Sequence, residues 1–454
     1  MFLMRLCCYL LAVGFSSSAL ADFGSAYKLF QDKNYEQAMP QLQVLAQLGH
    51  PQAQLLLAQC YEEGLGTEAD LNKAYAWALT AKGLSQPGAA EKYVELRGKL
   101  ESRRAGKQAF TEINGQYGAL ALKSNLYPTI HQVYRQPTVV KPLKQDKPDY
   151  PNHFPRSGIA AWSVVTYDIN ENGRVENAKV ALSFPAGAID KYALDAMKNW
   201  TFTPPRNSYG DAIRLDHQIH VFNLDKLVTA SRKFERENNE YIAAIREAAE
   251  ADSAANQYKF GLIAQAGLVK GQKALPWYLK AAINGYAPAQ FTVAQCLLTG
   301  SLCDKDSNKA INWLTYAAAD GDPQASYLLS HQLLDSDNIQ FDPERAARYL
   351  ESAAAKNYVP AIVEYASLLA MSDNPKLRNA ERAIQLAEQG LEQDEDNPKL
   401  LSTIGIALIE QGKQERGEEM LEQAVAAAEA RNWATENYRE LLNDYRGQVQ
   451  ADTK

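Results

Sequence analysis

The 454-residue sequence predicts an α+β multidomain protein, an α-solenoid of helix pairs with one small β-β-α-β domain set into it. Residues 150–224 alone carry strand-like patterns, with β-branched and aromatic runs bounded by turn residues. The segments on both sides repeat small, acidic and aromatic residues at fixed positions, with a period of 36 residues between Gly285 and Gly321. A period in this range is typical of stacked helix pairs.

The β-rich stretch has the order strand, hairpin, strand, helix, strand. Residues 161–169 form a β-branched and aromatic run, and the Asn172-Gly173 pair is a strong hairpin-turn signal. Residues 174–183 alternate between apolar and polar side chains. Residues 188–200 have apolar positions at helical spacing, and residues 213–222 are strand-like again. We therefore expect one helix packed on a small antiparallel sheet.

This stretch, from about 147 to 225, resembles the C-terminal domain of TonB-type energy transducers. The residues that carry the resemblance are Tyr150-Pro151, Gly158, Asn172-Gly173-Arg174-Val175, Ser183, Ile189-Asp190-Lys191-Tyr192-Ala193-Leu194 and Trp200-Thr201-Phe202-Thr203-Pro204. Ala161 stands where the family usually has a second glycine. The resemblance implies a periplasmic module that recognises proteins by pairing an edge strand with an extended peptide.

The last strand, around residues 214–220, is the candidate edge. We take Arg214, Asp216, Gln218 and His220 as candidate partner-binding residues along it. An edge strand offers unpaired N–H and C=O groups as a template for another strand. The alternative is that the linker or the helical repeats protect this edge.

The repeats share a set of offsets counted from Gly49, Gly285 and Gly321. Small residues at offsets 4, 9 and 25 let helices approach closely, an acid at offset 21 can cap the second helix, and an aromatic residue at offset 28 fills the space between pairs. The acidic and aromatic positions are Asp70, Asp306, Asp342, Trp77, Trp313 and Tyr349. The pattern resembles Sel-one-like repeats, and residues 397–430 resemble a tetratricopeptide unit. The resemblance implies a solenoid with a concave protein-binding groove.

These patterns divide the chain into five parts. Residues 1–21 read as a signal peptide, 22–106 as the first helical array, 107–146 as a proline-rich linker, 147–225 as the TonB-like domain, and 231–454 as the second array. A helix over about 434–449 is expected to cap the second array.

The first 21 residues have the features of a secretory signal. Arg5 precedes a short apolar run, and Ala19-Leu20-Ala21 fits an A-x-A cleavage site, which would start the mature chain at Asp22. No later stretch is long and apolar enough to span a membrane. The sequence therefore predicts a periplasmic protein without an integral span in its mature form. TonB transducers, in contrast, keep an N-terminal anchor.

Three cysteines follow the predicted leader. Cys296 and Cys303 are seven residues apart across a helix end and a loop, so a disulfide between them is feasible in an exported protein, and the alternative is that both stay free. Cys60 occupies the same repeat position as Cys296, which favours a packing role. No C-x-x-C pair is present.

The sequence contains no pattern typical of an enzyme or of a cofactor or metal site. It has no phosphate-binding loop, nucleophile elbow or zinc-protease motif. His217 and His220 lie three apart on a predicted strand, so their side chains should point to opposite faces and not share a metal ion. The net charge of −7 argues against nucleic acid as the main partner.

We therefore expect an exported protein-interaction adaptor rather than an enzyme. Its TonB-like domain would dock a periplasmic or outer-membrane protein segment, and its helical repeats would bind another partner. One alternative is an energy-transduction component for outer-membrane transport that retains its N-terminal segment as an anchor. Another is a structural spacer, or a homodimer contact formed by strand exchange.

Overall fold

The computed structural model describes residues 22–129, 140–151, 154, 160–206, 213–224, 232–431, 433 and 435–452. The predicted signal peptide lies outside these residues. Before the β domain the helices are α1 (Phe23–Gln31), α2 (Tyr35–Gln47), α3 (Pro51–Glu63), α4 (Leu71–Gly83), α5 (Ala89–Lys99), α6 (Arg103–Tyr117) and α7 (Ala119–Asn125).

The β domain contains β1 (Pro142–Lys144), β2 (Trp162–Ile169), β3 (Val175–Phe184), α8 (Asp190–Met197), β4 (Thr201–Phe202) and β5 (Leu215–Asn223). The second array contains α9 (Arg232–Glu250), α10 (Ala254–Gln265), α11 (Ala274–Ile283), α12 (Ala287–Thr299), α13 (Ser307–Ala319), α14 (Pro323–Leu334), α15 (Pro343–Ala354), α16 (Val359–Met371), α17 (Ala380–Leu391), α18 (Pro398–Glu410), α19 (Gln414–Ala430) and α20 (Glu436–Asp452). The fold class is the one that the sequence predicts, a helical-repeat solenoid with a small central β-containing region.

The acidic residue at offset 21 caps the second helix of each repeat, as its position predicts. The carboxylate of Asp70 accepts hydrogen bonds from the backbone N–H groups of Asn72 and Lys73. Asp306 and Asp342 accept in the same way from residues three positions on, at 3.0 and 2.9 Å. These bonds satisfy N–H groups that a helix start leaves without partners.

The central sheet has three antiparallel strands in the order β3-β2-β5. Its hairpin turns at the predicted Asn172-Gly173 pair. Gly173 has a φ of +77°, and a side chain there would collide with the carbonyl oxygen of Phe202. A second, two-stranded sheet pairs β1 with β4, which the sequence reading did not predict.

The linker predicted over residues 107–146 is largely wrong at its N-terminal end. Helix α6 crosses the predicted boundary at residue 106, and α7 follows it. The error has a physical cause: residues 107–125 contain no proline, and prolines start only at Pro128. At the other end of the linker, β1 is paired into the β domain.

The two helical arrays share one hydrophobic core, although the β domain separates them in sequence. Leu122 and Leu126 of the first array pack in the same cluster as Trp313 and Tyr258 of the second. The indole N–H of Trp313 donates to the carbonyl of Leu126 at 2.8 Å, and the Lys309 ammonium donates to two further carbonyls that flank it. The β domain is therefore an insertion between two helical arrays that pack against each other.

Within the described residues, no helix is both long enough and apolar enough to cross a bilayer.

Replacing Trp313 with Phe should loosen the contact between the two arrays. Trp313 is fully buried, so the variant leaves the Leu126 carbonyl without its donor, at a cost of about 1–3 kcal/mol. Hydrogen exchange of α7 amides should quicken in Trp313→Phe. The matched control is Trp277→Phe, because the Trp277 indole makes only a 3.5 Å contact to Gln272 and is half-buried. Equal exchange rates in both variants would contradict this role.

Candidate protein-interaction site

Strand β5 forms one edge of the three-stranded sheet. In the described part of the chain it pairs with β2 alone. Leu224, just after the strand, donates its N–H to Ala161 at the start of β2 at 2.8 Å. Because successive strand residues point their backbone groups to opposite sides, the N–H and C=O groups of Ile219 and Val221 point to the open edge. These two residues therefore offer the backbone groups that an added strand would pair with.

A bulge near the start of β5 interrupts this alternation. The pairing register shifts between Tyr167 and Ile169 of β2, and His217 has a φ of +51°. The side chain of Asp168 accepts the His217 N–H at 2.8 Å and so replaces the missing backbone partner. The His217 ring faces the helical array, where it packs edge-on against Phe291.

The four predicted partner-binding residues do not form one surface. The Arg214 and Asp216 side chains are only 8% and 9% exposed and lie in a buried ion cluster. The Gln218 amide donates to the carbonyl of Asp216, and the His220 ring packs against Trp200 on the opposite face of the sheet. A partner-binding role for these side chains stays a prediction, whereas the edge position of their strand is plain in the structure.

We use the name acidic cluster for Asp168, Glu171, Glu176 and Asp216, which surround the Arg214 guanidinium. Glu176 is 2.9 Å from Arg214, while the other three carboxylates are 3.7–4.0 Å from it. Burial and the charge of Asp168 raise the pKa of Asp216 to about 7. Burial also raises the pKa of Asp168. One guanidinium thus does not neutralise the carboxylates around it.

One face of the sheet packs against α8, and the other packs against the second array. We use the name first-helix wall for α10, α12, α14, α16 and α18, the first helices of successive pairs. At one end Trp162 and Val164 of β2 pack with Phe260 and Ile263 of α10 and with Ile245 of α9. The Trp162 indole also donates to Asn238 of α9 at 2.8 Å.

The contact continues along the wall toward the hairpin. The His217 ring lies 3.4 Å from the Thr292 hydroxyl of α12, and Gln324 of α14 donates to Asp168 at 3.0 Å. Burial against these helices lowers the pKa of His217 to about 4. The sheet therefore covers the first-helix wall at α10, α12 and α14.

A polar cavity of about 430 Å³ lies between the hairpin end of the sheet and the far end of the wall. We call it the hairpin cavity. Its sheet side is formed by the β2–β3 turn and Arg214, and its wall side by Tyr327, Tyr358 and Lys399. Arg431 and Trp433, which precede α20, close it. The lining is mainly polar, with charged side chains from both the sheet and the wall.

Cys296 and Cys303 are both buried and unbonded in the structure. Burial raises the pKa of each thiol to about 12, so neither is a reactive thiolate at neutral pH. Cys60 is also buried, in the core of the first array, which fits its predicted packing role. A bridge between Cys296 and Cys303 stays a prediction.

His217 and His220 point to opposite faces of the sheet, as the strand geometry predicts. Across the described residues, no group of three His, Cys, Asp or Glu side chains is arranged to hold a metal ion.

Comparison with protein families agrees with this geometry. Residues 146–224 match the model of the Gram-negative bacterial TonB protein C-terminal domain. The Sel1 repeat model matches four segments of the helical arrays: residues 51–82, 258–286, 287–322 and 323–358. The chain carries a TonB C-terminal domain flanked by Sel1 repeats. Both kinds of domain point to a protein-interaction role.

Two curated relatives are similar to the TonB C-terminal domain. Protein TonB of Pseudomonas aeruginosa is 29% identical over 87 residues, which are 19% of this chain and 25% of that protein. Protein TonB of Yersinia enterocolitica is 34% identical over 62 residues, which are 14% of this chain and 24% of that protein. The chain thus spans about a quarter of the length of these relatives.

Solved repeat structures are similar over larger parts of the chain. A Sel1 repeat protein from Oxalobacter formigenes is 16% identical, with a TM-score of 0.31 over 82% of this chain and 99% of that one. A protective antigen with an SLR fold from uropathogenic Escherichia coli is 17% identical, with a TM-score of 0.35 over 90% of this chain and 69% of that one.

The acidic cluster was missed by the reading of the sequence. One signal was present, because Asp168 interrupts the apolar strand that contains it. A buried strand rarely keeps a carboxylate without a specific partner. Glu171 and Glu176, in contrast, look like ordinary residues of an exposed hairpin, and only the contact with the wall makes them part of a site.

Replacing Asp216 with Asn should stabilise the TonB C-terminal domain more at pH 8 than at pH 5. The folded pKa of about 7 exceeds the unfolded value of about 3.9, so the native chain loses stability as pH rises through this window. Asn does not titrate, and the variant should gain up to about 2 kcal/mol relative to the native chain between pH 5 and pH 8. Urea unfolding at both pH values measures this difference.

The control is Asp373→Asn, at an exposed acid between α16 and α17. Its effect on the free energy of unfolding should be the same at both pH values. A pH-independent effect of Asp216→Asn would show that Asp216 is ionised throughout.

Proposed function

We propose that the chain is an exported protein-interaction adaptor whose TonB C-terminal domain docks an extended segment of an envelope protein along β5. The observation that carries this proposal is the open edge of β5, where the backbone groups of Ile219 and Val221 point away from β2. The family match supports a protein-docking role for this domain.

An extended segment suits this edge for a physical reason. Strand addition takes its affinity from main-chain hydrogen bonds, so the partner needs an unpaired backbone more than a particular sequence. The bulge at His217 ends the regular part of the edge, which limits the added strand to the neighbourhood of residues 218–223. The docked segment is therefore short.

We place the second partner of the adaptor on the helical arrays, away from the first-helix wall. The sheet already covers that wall from α10 to α14. The second array packs its first helices against the inserted β domain, and the second helices of its pairs remain available on the other side. The first array and these second helices are the surfaces that remain for another protein.

We propose the periplasm as the site of action, with a periplasmic or outer-membrane protein as the partner. The signal-like residues 1–21 and the match to a domain of Gram-negative TonB proteins support it. The rival role in energy transduction requires the N-terminal segment to persist as an anchor. N-terminal sequencing of the protein purified from the periplasm distinguishes the two roles, because a cleaved adaptor starts at Asp22 and an anchored transducer keeps residues 1–21.

Replacing Val221 with Pro should abolish docking at the edge while leaving the sheet intact. Proline removes one outward N–H and no bond to β2, a change that edge strands tolerate. A photo-crosslinking residue at position 218 in cells should link the native chain to an extended segment of an envelope protein, identified by mass spectrometry. The Val221→Pro chain should lose most of that product.

Val221→Ala is the matched control, because it loses the same apolar contact with the array but keeps the N–H group. It should crosslink like the native chain. If Val221→Pro melts like Val221→Ala and still gives the native crosslinks, β5 is not the docking edge.

A further inference from the structure

The hairpin cavity has a small excess of negative charge. Four carboxylates line it, Glu171, Glu176, Glu364 and Asp394, against the three basic side chains Arg214, Lys399 and Arg431. With all groups ionised, one negative charge is in excess. Arg431 is already bound by Asp394 through two hydrogen bonds, so this pair adds nothing to the balance.

The acidic cluster is also poorly matched in its hydrogen bonds. The Asp216 carboxylate is nine-tenths buried, and its Oδ1 accepts no hydrogen bond from the described residues, while Arg214 Nε, 3.7 Å away, donates none to them. The side-chain oxygen of Asn172, in the cavity lining, is likewise buried without a donor. Polar atoms buried without hydrogen bonds are costly, and a ligand with N–H donors would satisfy the Asn172 oxygen.

The rest of the lining indicates what kind of cation fits. Tyr327, Tyr358 and Trp433 bring three aromatic side chains to the same space. Aromatic faces attract ammonium and guanidinium groups, and they do so best where water is excluded. No arrangement of metal ligands is present among the described residues, and about 430 Å³ is the size of a pocket for an organic group.

We propose that the hairpin cavity binds an organic cation, an alkylammonium or guanidinium group held by Glu171 and Glu364 between the aromatic side chains. Glu171 comes from the hairpin and Glu364 from α16, so the ligand joins the sheet to the wall. Two sources offer this chemistry: a free polyamine, and a lysine or arginine side chain of a protein segment. The site is separate from the open edge of β5, and cation binding does not depend on docking there.

The test is calorimetric titration of the full mature chain with two probes. Cadaverine stands for a free polyamine and acetyl-Gly-Lys-Gly-amide for a lysine side chain in a peptide. At least one probe should bind, and whichever binds more tightly identifies the source. Glu171→Gln and Glu364→Gln should each weaken binding about tenfold or more, because each removes a charge-assisted hydrogen bond.

Lys399→Gln decides the sign of the ligand charge. Lys399 lines the cavity and repels a cation, so neutralising it should tighten binding by about two- to fivefold, a gain that misfolding does not mimic. Glu388→Gln, at an exposed acid on α17, is the matched control and should bind like the native chain.

Three outcomes overturn the proposal: neither probe binds, the two cavity glutamine variants bind like Glu388→Gln, or Lys399→Gln weakens binding. The last result would mean that the cavity selects an anion. Val221→Pro should leave binding of both probes unchanged, so failure of the docking proposal and failure of this one are distinguishable.

Discussion

The structure depends on how the second face of a three-stranded sheet is covered. Strand β2 is buried on both faces along its whole length, and among the described residues of the TonB C-terminal domain α8 covers one of those faces. The other face is covered by the first-helix wall and by α9, through Trp162 and Val164. Each such side chain contributes about 1.5–3 kcal/mol when it leaves water. The domain and the second array are therefore parts of one packed body.

Polarity changes along this contact. It is apolar where β2 begins, mixed near His217, and charged at the hairpin, where Arg214 meets the acidic cluster. Apolar contacts tolerate no water, whereas a loosely held ion cluster leaves room for it. The apolar end fixes the sheet on the wall, and the charged end leaves the cavity. The edge of β5 stays out of the contact, because the wall covers a face of the sheet and not its edge.

Local features of the fold were predictable from the sequence because they depend on neighbouring residues. The Asn172-Gly173 turn needs a positive φ at Gly173. Asp70, Asp306 and Asp342 each cap a helix by accepting a hydrogen bond from the backbone N–H three residues later in the chain. The linker prediction started too early in the chain, because residues 107–125 contain no proline and can form helices. Helix α6 packs on α4, and the end of α7 is held by a contact 187 residues distant, the bond from the Trp313 indole to the Leu126 carbonyl.

The candidate site was predictable only in part, for a related reason. A strand pattern identifies an edge but not which of its faces another domain will cover. Arg214 and Asp216, which are predicted to contact a partner, lie against Glu176 and Asp168 of their own sheet. The bulge at His217 could not be foreseen, because it is set by one side chain, Asp168, that bonds a backbone group 49 residues away.

The position of the β domain in the middle of the chain sets an order of events during synthesis. The sheet is complete once residue 224 has emerged, but the helices that cover Trp162 and Val164 come later, and the indole that donates to the Leu126 carbonyl belongs to Trp313. Until then an apolar sheet face and an unattached first array are exposed to other chains. Burial of that sheet face and attachment of the first array therefore both wait for helices of the second array, as far as α13.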